Sequence, residues 1–449
     1  MAKLADRYEQ GLALHRLGKL AEAEREFEKV LRQKPGHFES VHMLGLIAVQ
    51  NRRMERGVEL IAKATRLNAK FTLAHNNLGN VLVELGRREE AVASFDKAIA
   101  LQPDLVEAHY NRGHALRYLL RLNEASASYE AAITLKPDYA DAYWNQSLCM
   151  LQLGRYEEGW RLFEWRKRKA QPIGLRSYPQ PLWLGDQDIE GKTLFLYWEQ
   201  GFGDTIQFCR YAKFAEARGA NVIMEVQPRL SRLLRRLSPT IEFVEQGTRP
   251  VAFDYHCPLM SLPLAFGTTI DTVPSEPRYL AVDEAWRAKW TAVLPPSKKP
   301  RVGVVWSGSA GYRHDSYRSI GLAAMLPLFE AEADFVCLQK EISPDDAALL
   351  RQTGRVTFYG DEQNDFSDAA ALVDQMDLVI SVDTAVAHLA GALGKPVWIL
   401  LPSDWRWLLD RDDSPWYPSA RLFRPGRLDD RIEVIKRVKD ELNKVLTPN

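Results

Sequence analysis

Residues 377–402 are Asp377-Leu-Val-Ile-Ser-Val-Asp-Thr-Ala-Val-Ala-His-Leu-Ala-Gly-Ala-Leu-Gly-Lys-Pro-Val-Trp-Ile-Leu-Leu-Pro402, and this stretch decides the fold class. Its two apolar runs, Leu378–Val382 and Val397–Leu401, predict buried strands on either side of a small-residue helix. Uninterrupted apolar strands are typical of parallel sheets covered on both faces. Asp383 and Thr384 would cap the helix at the carboxyl edge of that sheet, where such folds bind ligands and a helix N-terminus suits phosphate.

The composition of the 449 residues limits the classes of function. A formal net charge of +0 gives no overall bias towards nucleic acid or anionic membranes. Residues 1–10 are too polar for a signal peptide, and no apolar run approaches the roughly 20 residues that span a bilayer. Four widely spaced cysteines, none in a C-x-x-C pair, predict reduced, buried thiols. We therefore expect a cytoplasmic protein without integral membrane association and without nucleic acid as a partner.

A 34-residue period runs through the first third of the chain. The recurring glycines are Gly11, Gly45, Gly79 and Gly113, and the large residues at a matching offset are Phe27, Ile61, Phe95, Tyr129 and Phe163. Gly18, Gly86 and Gly154 mark the turn inside three units, whereas Arg52 stands there in the second. This pattern resembles the tetratricopeptide repeat, with five units at 4–37, 38–71, 72–105, 106–139 and 140–173.

Two features of this predicted α-solenoid point to partners. Trp160 and Trp165 in the fifth unit predict docking onto the following domain, with internal packing as the alternative. Amides recur on the first helices of successive units at Asn77, Asn111 and Asn145. They could hydrogen-bond the backbone of an extended acceptor peptide, or they could simply face solvent.

Two Rossmann-like α/β domains are predicted after the repeats, and a hinge at residues 295–300 separates them. The predicted boundaries are 1–173 for the repeats, 174–190 for a linker, 191–296 for the first α/β domain, 297–427 for the second and 428–449 for a terminal helix. The first α/β domain begins with a strand at Gly191–Trp198, a helical pattern at Thr205–Arg218 and a strand at Asn221–Val226. Two such domains around a hinge predict a ligand cleft between them.

The first candidate site follows the strand Gly191–Trp198, in Glu199-Gln-Gly-Phe-Gly-Asp204. Its glycines allow close backbone approach, but Ile206 stands where a dinucleotide motif needs its third glycine. Asp204 is therefore a candidate general base, or simply a helix cap.

The remaining candidates lie in the second α/β domain. Ser307 and Gly308 begin a small-residue loop that carries Arg313 and Arg318 and could wrap an anion, or be only a surface loop. Thr384 and Ala385 could offer backbone N–H groups to a diphosphate, and His388 lies on the same helix face or is a buried structural histidine. Trp405–Pro418 is rich in aromatic residues that could stack on a sugar or base, or pack between domains.

These motifs resemble the GT-B glycosyltransferases of the heptosyltransferase-like group, glycosyltransferase family 9, over about residues 191–425. Gly203-Asp204 matches the position of that family's proposed catalytic base. Asp383-Thr384-Ala385-x-x-His388 matches its Asp-Thr-Gly-x-x-His motif, with alanine in place of glycine. Arg318 matches a basic donor-site residue, and Lys340 is a weaker donor candidate. The fusion with repeats also resembles bacterial repeat-containing protein glycosyltransferases.

The resemblance implies sugar transfer from a nucleotide-diphosphate sugar to a hydroxyl acceptor, with inversion and without a metal or other cofactor. The repeats imply a protein acceptor. Two alternatives stay open: a non-catalytic repeat adaptor with a degenerate transferase domain, and a transferase that modifies a glycan or lipopolysaccharide.

Overall fold

The computed structural model describes residues 2–308, 318–401, 404–425 and 431–446, without the side chains of residues 2 and 3. The chain forms two compact units, Met1–Met150 and Leu151–Asn449. Antiparallel helix pairs make up the repeats: α1 Ala2–Arg16, α2 Leu20–Gln33, α3 Phe38–Gln50, α4 Met54–Leu67, α5 Thr72–Glu84, α6 Arg88–Leu101, α7 Val106–Tyr118, α8 Leu122–Leu135, α9 Ala140–Gln152 and α10 Tyr156–Phe163. The predicted tetratricopeptide solenoid is confirmed.

The recurring glycines are explained by contact between the two helices of each unit. A Cβ atom added at Gly79 would lie 2.5 Å from Phe95 Cε1, and one at Gly113 would lie 2.8 Å from Tyr129 Cε1. The large residue of each pair is fully buried, so the small residue is what allows the two helices to meet.

The turn between the two helices of a unit needs a left-handed residue. Gly18 and Gly86 have φ of +73° and +76°, and the replacements Arg52 and Leu120 adopt φ of +59°. A non-glycine residue is strained in this region, so the units with Arg52 and Leu120 keep the turn at an energetic cost.

The first α/β sheet is parallel, with strand order β3-β2-β1-β4. Its strands are β1 Thr193–Tyr197, β2 Asn221–Val226, β3 Glu242–Glu245 and β4 Tyr255–Pro258. The single helix predicted at Thr205–Arg218 is wrong: helix Phe202–Phe208 ends and a second, Tyr211–Ala217, begins after a turn at Cys209 and Arg210. At this turn the buried Arg210 guanidinium donates to the carbonyl oxygen of Gln207.

The second sheet is also parallel, with strand order β10-β9-β8-β5-β6-β7. Its strands are β5 Arg301–Val305, β6 Asp334–Cys337, β7 Val356–Phe358, β8 Leu378–Val382, β9 Val397–Leu400 and β10 Ala420–Phe423. Every residue of β8 and β9 is buried, as their apolar runs predict, whereas β10 was not predicted. The two parallel α/β sheets confirm the GT-B fold class.

Other helices of this unit are Pro228–Leu234, Leu262–Ala265, Glu284–Val293, Leu322–Met325, Pro344–Thr353, Phe366–Asp374, Ala385–Ala392 and Arg431–Leu446. In the described part of the chain, no helix combines the length and the apolar character needed to cross a membrane. The four cysteines are buried free thiols, and burial raises their pKa above the ordinary value.

Candidate active site

The structure brings together the two helices that follow strands β1 and β8, one from each sheet. Gly203, at the start of helix Phe202–Phe208, faces the first turn of helix Ala385–Ala392. A Cβ atom added at Gly203 would lie 2.9 Å from His388 Cδ2 and 3.5 Å from Ala385 Cα. Glycine at this position thus lets the loop that carries Asp204 approach the Asp383–His388 motif closely.

Asp204 has a capping role and a second contact with a residue of the second α/β domain. Its Oδ2 accepts a hydrogen bond from the backbone N–H of Gly201 at 2.9 Å, which caps the start of helix Phe202–Phe208. Its Oδ1 pairs with the guanidinium of Arg406, from the second α/β domain. The side chain is 15% exposed, so the carboxylate is largely buried and both of its oxygens have donors within the protein.

Arg406 is the principal site residue that the sequence analysis missed. It lies in the short helix Trp405–Trp407 after strand β9, and its Nε donates to Gln207 Oε1 at 3.0 Å. Its Nη1 lies 3.2 Å from Asp404 Oδ1, and the guanidinium stacks over the Trp405 ring at 4.3 Å. The sequence does contain an indication of this role, because Arg406 lies between Trp405 and Trp407 directly after a strand. The prediction for this segment considered only its aromatic residues.

The partly exposed Asp383 and the buried His388 form a polar pair close to Arg406. His388 Nε2 lies 3.7 Å from Asp383 Oδ1, and its Nδ1 lies 2.9 Å from the hydroxyl oxygen of Tyr417. Burial lowers the pKa of His388 well below its usual range, with Arg406 adding to the effect, so the ring is neutral. Burial, with Asp404 nearby, raises the pKa of Asp383 to about 6.

Arg318 and Thr384 lie beside the same helix N-terminus. Arg318 Nη1 donates to the backbone oxygen of Asp383 at 3.3 Å, which places a second guanidinium at the β8 edge. Thr384 is the N-cap of helix Ala385–Ala392, and its hydroxyl lies 3.2 Å from the Ser381 hydroxyl. The first turn of this helix has the backbone N–H groups and partial positive charge that bind anions.

The other predicted donor-site residues form hydrogen bonds with neighbouring residues of the chain. Ser307 Oγ accepts from Gln339 Nε2 at 2.9 Å, and the N–H of Gly308 donates to Ser319 Oγ at 3.0 Å. Lys340 Nζ donates to the Gly360 carbonyl oxygen at 2.8 Å. Arg313, predicted to supply charge on the same loop, lies outside the described residues.

The three repeat amides form contacts between successive units. Asn77 Nδ2 lies 3.0 Å from His42 Nε2, and Asn111 Nδ2 is 3.5 Å from Asn76 Oδ1. Asn145 Nδ2 lies 3.2 Å from the Tyr110 hydroxyl, and Asn145 itself is buried. None of the three is exposed, so they are not merely solvent-facing residues, and a peptide-binding role stays a prediction.

The aromatic motif packs inside its own unit. Trp405, Trp407, Trp416 and Tyr417 are all buried, which favours the core-packing interpretation over sugar stacking. Trp160 of the last repeat helix lies 5.4 Å from Trp405, between ring centroids, and contacts Phe208 edge-on. The predicted docking of Trp160 on the next domain is thus observed, whereas Trp165 is half-buried beneath the Arg168 guanidinium.

The same interface contains a buried ion network that the sequence did not indicate. The guanidinium of Arg166, after the last repeat helix, donates to both carboxylate oxygens of Glu199, and neither side chain is exposed. Glu199 Oε2 also accepts the N–H of Met260, and Ser261 Oγ accepts from Arg166 at 2.7 Å. The network anchors the loop that leads from β1 to Asp204.

Comparison with known proteins supports both halves of this architecture. Tetratricopeptide repeat models match residues 7–37 and 110–160, and a TPR repeat model matches residues 79–119. The model of glycosyltransferase family 9 (heptosyltransferase) matches residues 362–400, which include β8, helix Ala385–Ala392 and β9. The chain thus combines tetratricopeptide repeats with a segment that is similar to glycosyltransferase family 9.

The chain is also similar to Protein FlbA of Caulobacter vibrioides, at 28% identity over 302 residues. The match covers 61% of the chain and 50% of FlbA, so the chain spans about half the length of this curated relative. Among solved structures, MamA is 24% identical to the chain. That match covers 34% of the chain and 91% of MamA, with a TM-score of 0.33. YrrB, described as a TPR protein with an unusual peptide-binding site, is 21% identical over 35% of the chain and 82% of YrrB, also with a TM-score of 0.33.

Proposed function

We propose that the chain transfers a sugar from a nucleotide-diphosphate sugar to a hydroxyl group on a protein that its repeats select. The observation that carries this proposal is the close approach of two predicted site motifs. Gly203-Asp204 of the first sheet meets the first turn of helix Ala385–Ala392 in the second. A carboxylate facing an anion-binding helix end is the arrangement that glycosyl transfer needs.

The donor diphosphate would bind at the N-terminus of helix Ala385–Ala392, beside Arg318. Negative charge builds up on the leaving diphosphate in the transition state, so fixed N–H groups and a guanidinium there lower the barrier. One such donor is worth about 3–4 kcal/mol in comparable sites. The neutral His388 adds no charge to this pocket, and its contacts with Asp383 and Tyr417 hold the helix end in place.

Asp204 would take the proton from the acceptor hydroxyl as the new bond to the anomeric carbon forms. Removal of a proton by a positioned base contributes roughly 10²–10⁴-fold. One displacement step inverts the anomeric centre, and this scheme uses no metal and no bound cofactor. The proposed compartment is the cytoplasm, which the buried free thiols favour.

The repeats would present the protein acceptor. An amide offers one acceptor and two donor hydrogen bonds, so Asn77, Asn111 and Asn145 could contact a peptide backbone while keeping a bond to the neighbouring unit. Replacing all three by alanine should lower the apparent affinity for the protein acceptor more than the affinity for the donor. It should also cost some stability, because the amides link successive units.

Hydrolysis and transfer assays test the proposal together. Purified protein is incubated with a panel of nucleotide sugars, and nucleoside diphosphate release is measured with and without proteins from cells that lack this gene. The proposal expects release that is stimulated by acceptor, and an acceptor whose intact mass grows by one or more sugar units. Release without any protein-bound sugar would redirect the assignment to a glycan acceptor, and no release from any donor would favour a non-catalytic adaptor.

A further inference from the structure

Arg406 is held between groups that belong to both sides of the cleft. Its guanidinium contacts Asp204 and Gln207 from the first α/β domain and Asp404 from its own loop. Its side chain is only 12% exposed. The backbone N–H of Arg406 also donates to Asp404 Oδ1 at 2.9 Å, so the start of the side chain is fixed while its tip reaches across the cleft.

Negative charges outnumber positive charges around this guanidinium, which disfavours an anionic ligand. Three carboxylates, those of Asp204, Asp383 and Asp404, lie in the electrostatic environment of Arg406. Arg318 adds one further cation beside Asp383. A diphosphate placed at this helix end brings at least two more negative charges and therefore needs a cation, and the guanidinium nearest to the base is already paired with Asp204.

The pairing also limits what Asp204 can do. The oxygen that pairs with the Arg406 guanidinium is not available to take a proton from an acceptor hydroxyl. Since the other oxygen accepts the Gly201 N–H, both oxygens of Asp204 have donors within the protein. An acceptor hydroxyl can therefore reach a free oxygen of Asp204 only if Arg406 moves away.

We propose that Arg406 is a donor-phosphate residue that holds Asp204 in the absence of donor and releases it when the donor diphosphate binds. The inference rests on the proposed function and extends it with a residue and an order of events: donor first, then proton removal. The bonds with Asp404 keep the guanidinium anchored while its contact with Asp204 is broken.

This exchange has a consequence that a simple clamp between the domains does not have. If Arg406 must leave Asp204 to reach phosphate, removal of the Asp204 charge makes phosphate binding tighter. Asp204→Asn, a substitution of equal size, should tighten nucleoside diphosphate binding by about three- to tenfold. Arg406→Gln should weaken it by about tenfold or more, the effect of one charge-assisted hydrogen bond.

Isothermal titration of the full chain tests the inference, with ADP, CDP, GDP, UDP and inorganic pyrophosphate as probes. Arg406→Lys is the second variant at this position and should retain part of the affinity. Arg411→Gln is the matched control, because Arg411 lies on the same loop in an exposed pair with Asp413. The thermal midpoint of every variant is measured first, and if Arg406→Gln does not fold, Asp204→Asn and Arg406→Lys decide.

Tighter binding in Asp204→Asn together with weaker binding in the Arg406 variants supports the inference. If a probe binds the wild type but the two positions do not shift its affinity in opposite directions, the inference is overturned while the proposed function stands. If no probe binds the wild type, the proposed donor site is wrong and the inference falls with it.

Discussion

The buried pair of Arg166 and Glu199 gives a stability prediction whose size follows from the structure. Three N–O distances of 2.9 to 3.1 Å join the guanidinium to the carboxylate, and both side chains are fully buried. Arg166→Met removes the cation and leaves a buried carboxylate without its main partner, which costs about 3–5 kcal/mol. Glu199→Gln in the same chain removes the stranded charge, so the double variant should be more stable than Arg166→Met.

Urea unfolding followed by tryptophan fluorescence measures this change, because eleven of the twelve tryptophans lie in residues 151–449. Lys213→Met, which removes an exposed pair with Glu276, is the control and should cost at most about 1 kcal/mol.

The pH dependence supplies a second test of the pair. Burial raises the pKa of Glu199 above its ordinary value even beside Arg166, and loss of the guanidinium raises it further. The folded Arg166→Met variant then binds more protons than its unfolded chain, so its free energy of unfolding falls as pH rises. The difference in stability between this variant and the wild type therefore shrinks towards pH 5. A deficit below about 1 kcal/mol that does not change with pH would refute this account of the network.

Three further predictions concern other parts of the chain. Gly79→Ala should destabilise the repeats by about 1–3 kcal/mol in thermal unfolding followed by circular dichroism, because the added methyl group meets Phe95 at 2.5 Å. Gly36→Ala, with no atom within 4 Å, should have little effect. Asp383→Asn should stabilise the protein by an amount that grows from pH 4 and levels off above pH 6 at up to about 3 kcal/mol. The reason is that the pKa of Asp383 in the folded protein, about 6, exceeds the ordinary 3.8, so ionisation of Asp383 opposes folding. Equal stability of both proteins at pH 5 and at pH 8 would contradict this prediction. Arg318→Ala should weaken calorimetric binding of a nucleoside diphosphate more than that of the free nucleoside, and equal losses would count against a phosphate contact.

Sequence patterns predicted the helices and strands that form because of residues close to them in the chain. The pairing of Gly79 with Phe95 repeats at a fixed offset, and the continuous apolar run of Leu378–Val382 is what a strand buried on both faces requires. By contrast, the short edge strand Ala420–Phe423 forms because it pairs with β9, and it follows an aromatic loop without a clear strand pattern. Its existence depends on a neighbour that the local sequence does not reveal.

The site divides in the same way. The positions of Asp204 and of the Asp383–His388 motif were predictable, because each follows a strand and adjoins a helix start, whereas their roles stay a prediction. Arg406 was not, because its role depends on contact with a residue about two hundred positions earlier in the chain. The link from Arg166 to Glu199 is likewise a long-range ion pair, and a basic run after a helix is by itself typical of a solvated surface.

The most direct test of the central claim is the rate of sugar transfer by the wild type and by Asp204→Asn. Both proteins are given the same nucleotide sugar and the same protein acceptor, and the acceptor is followed by intact mass over time. The account predicts addition of sugar by the wild type and a rate at least about 10²-fold lower for Asp204→Asn, with the fold retained. Transfer by Asp204→Asn within a few-fold of the wild-type rate would contradict it and leave Asp204 as a helix-capping residue.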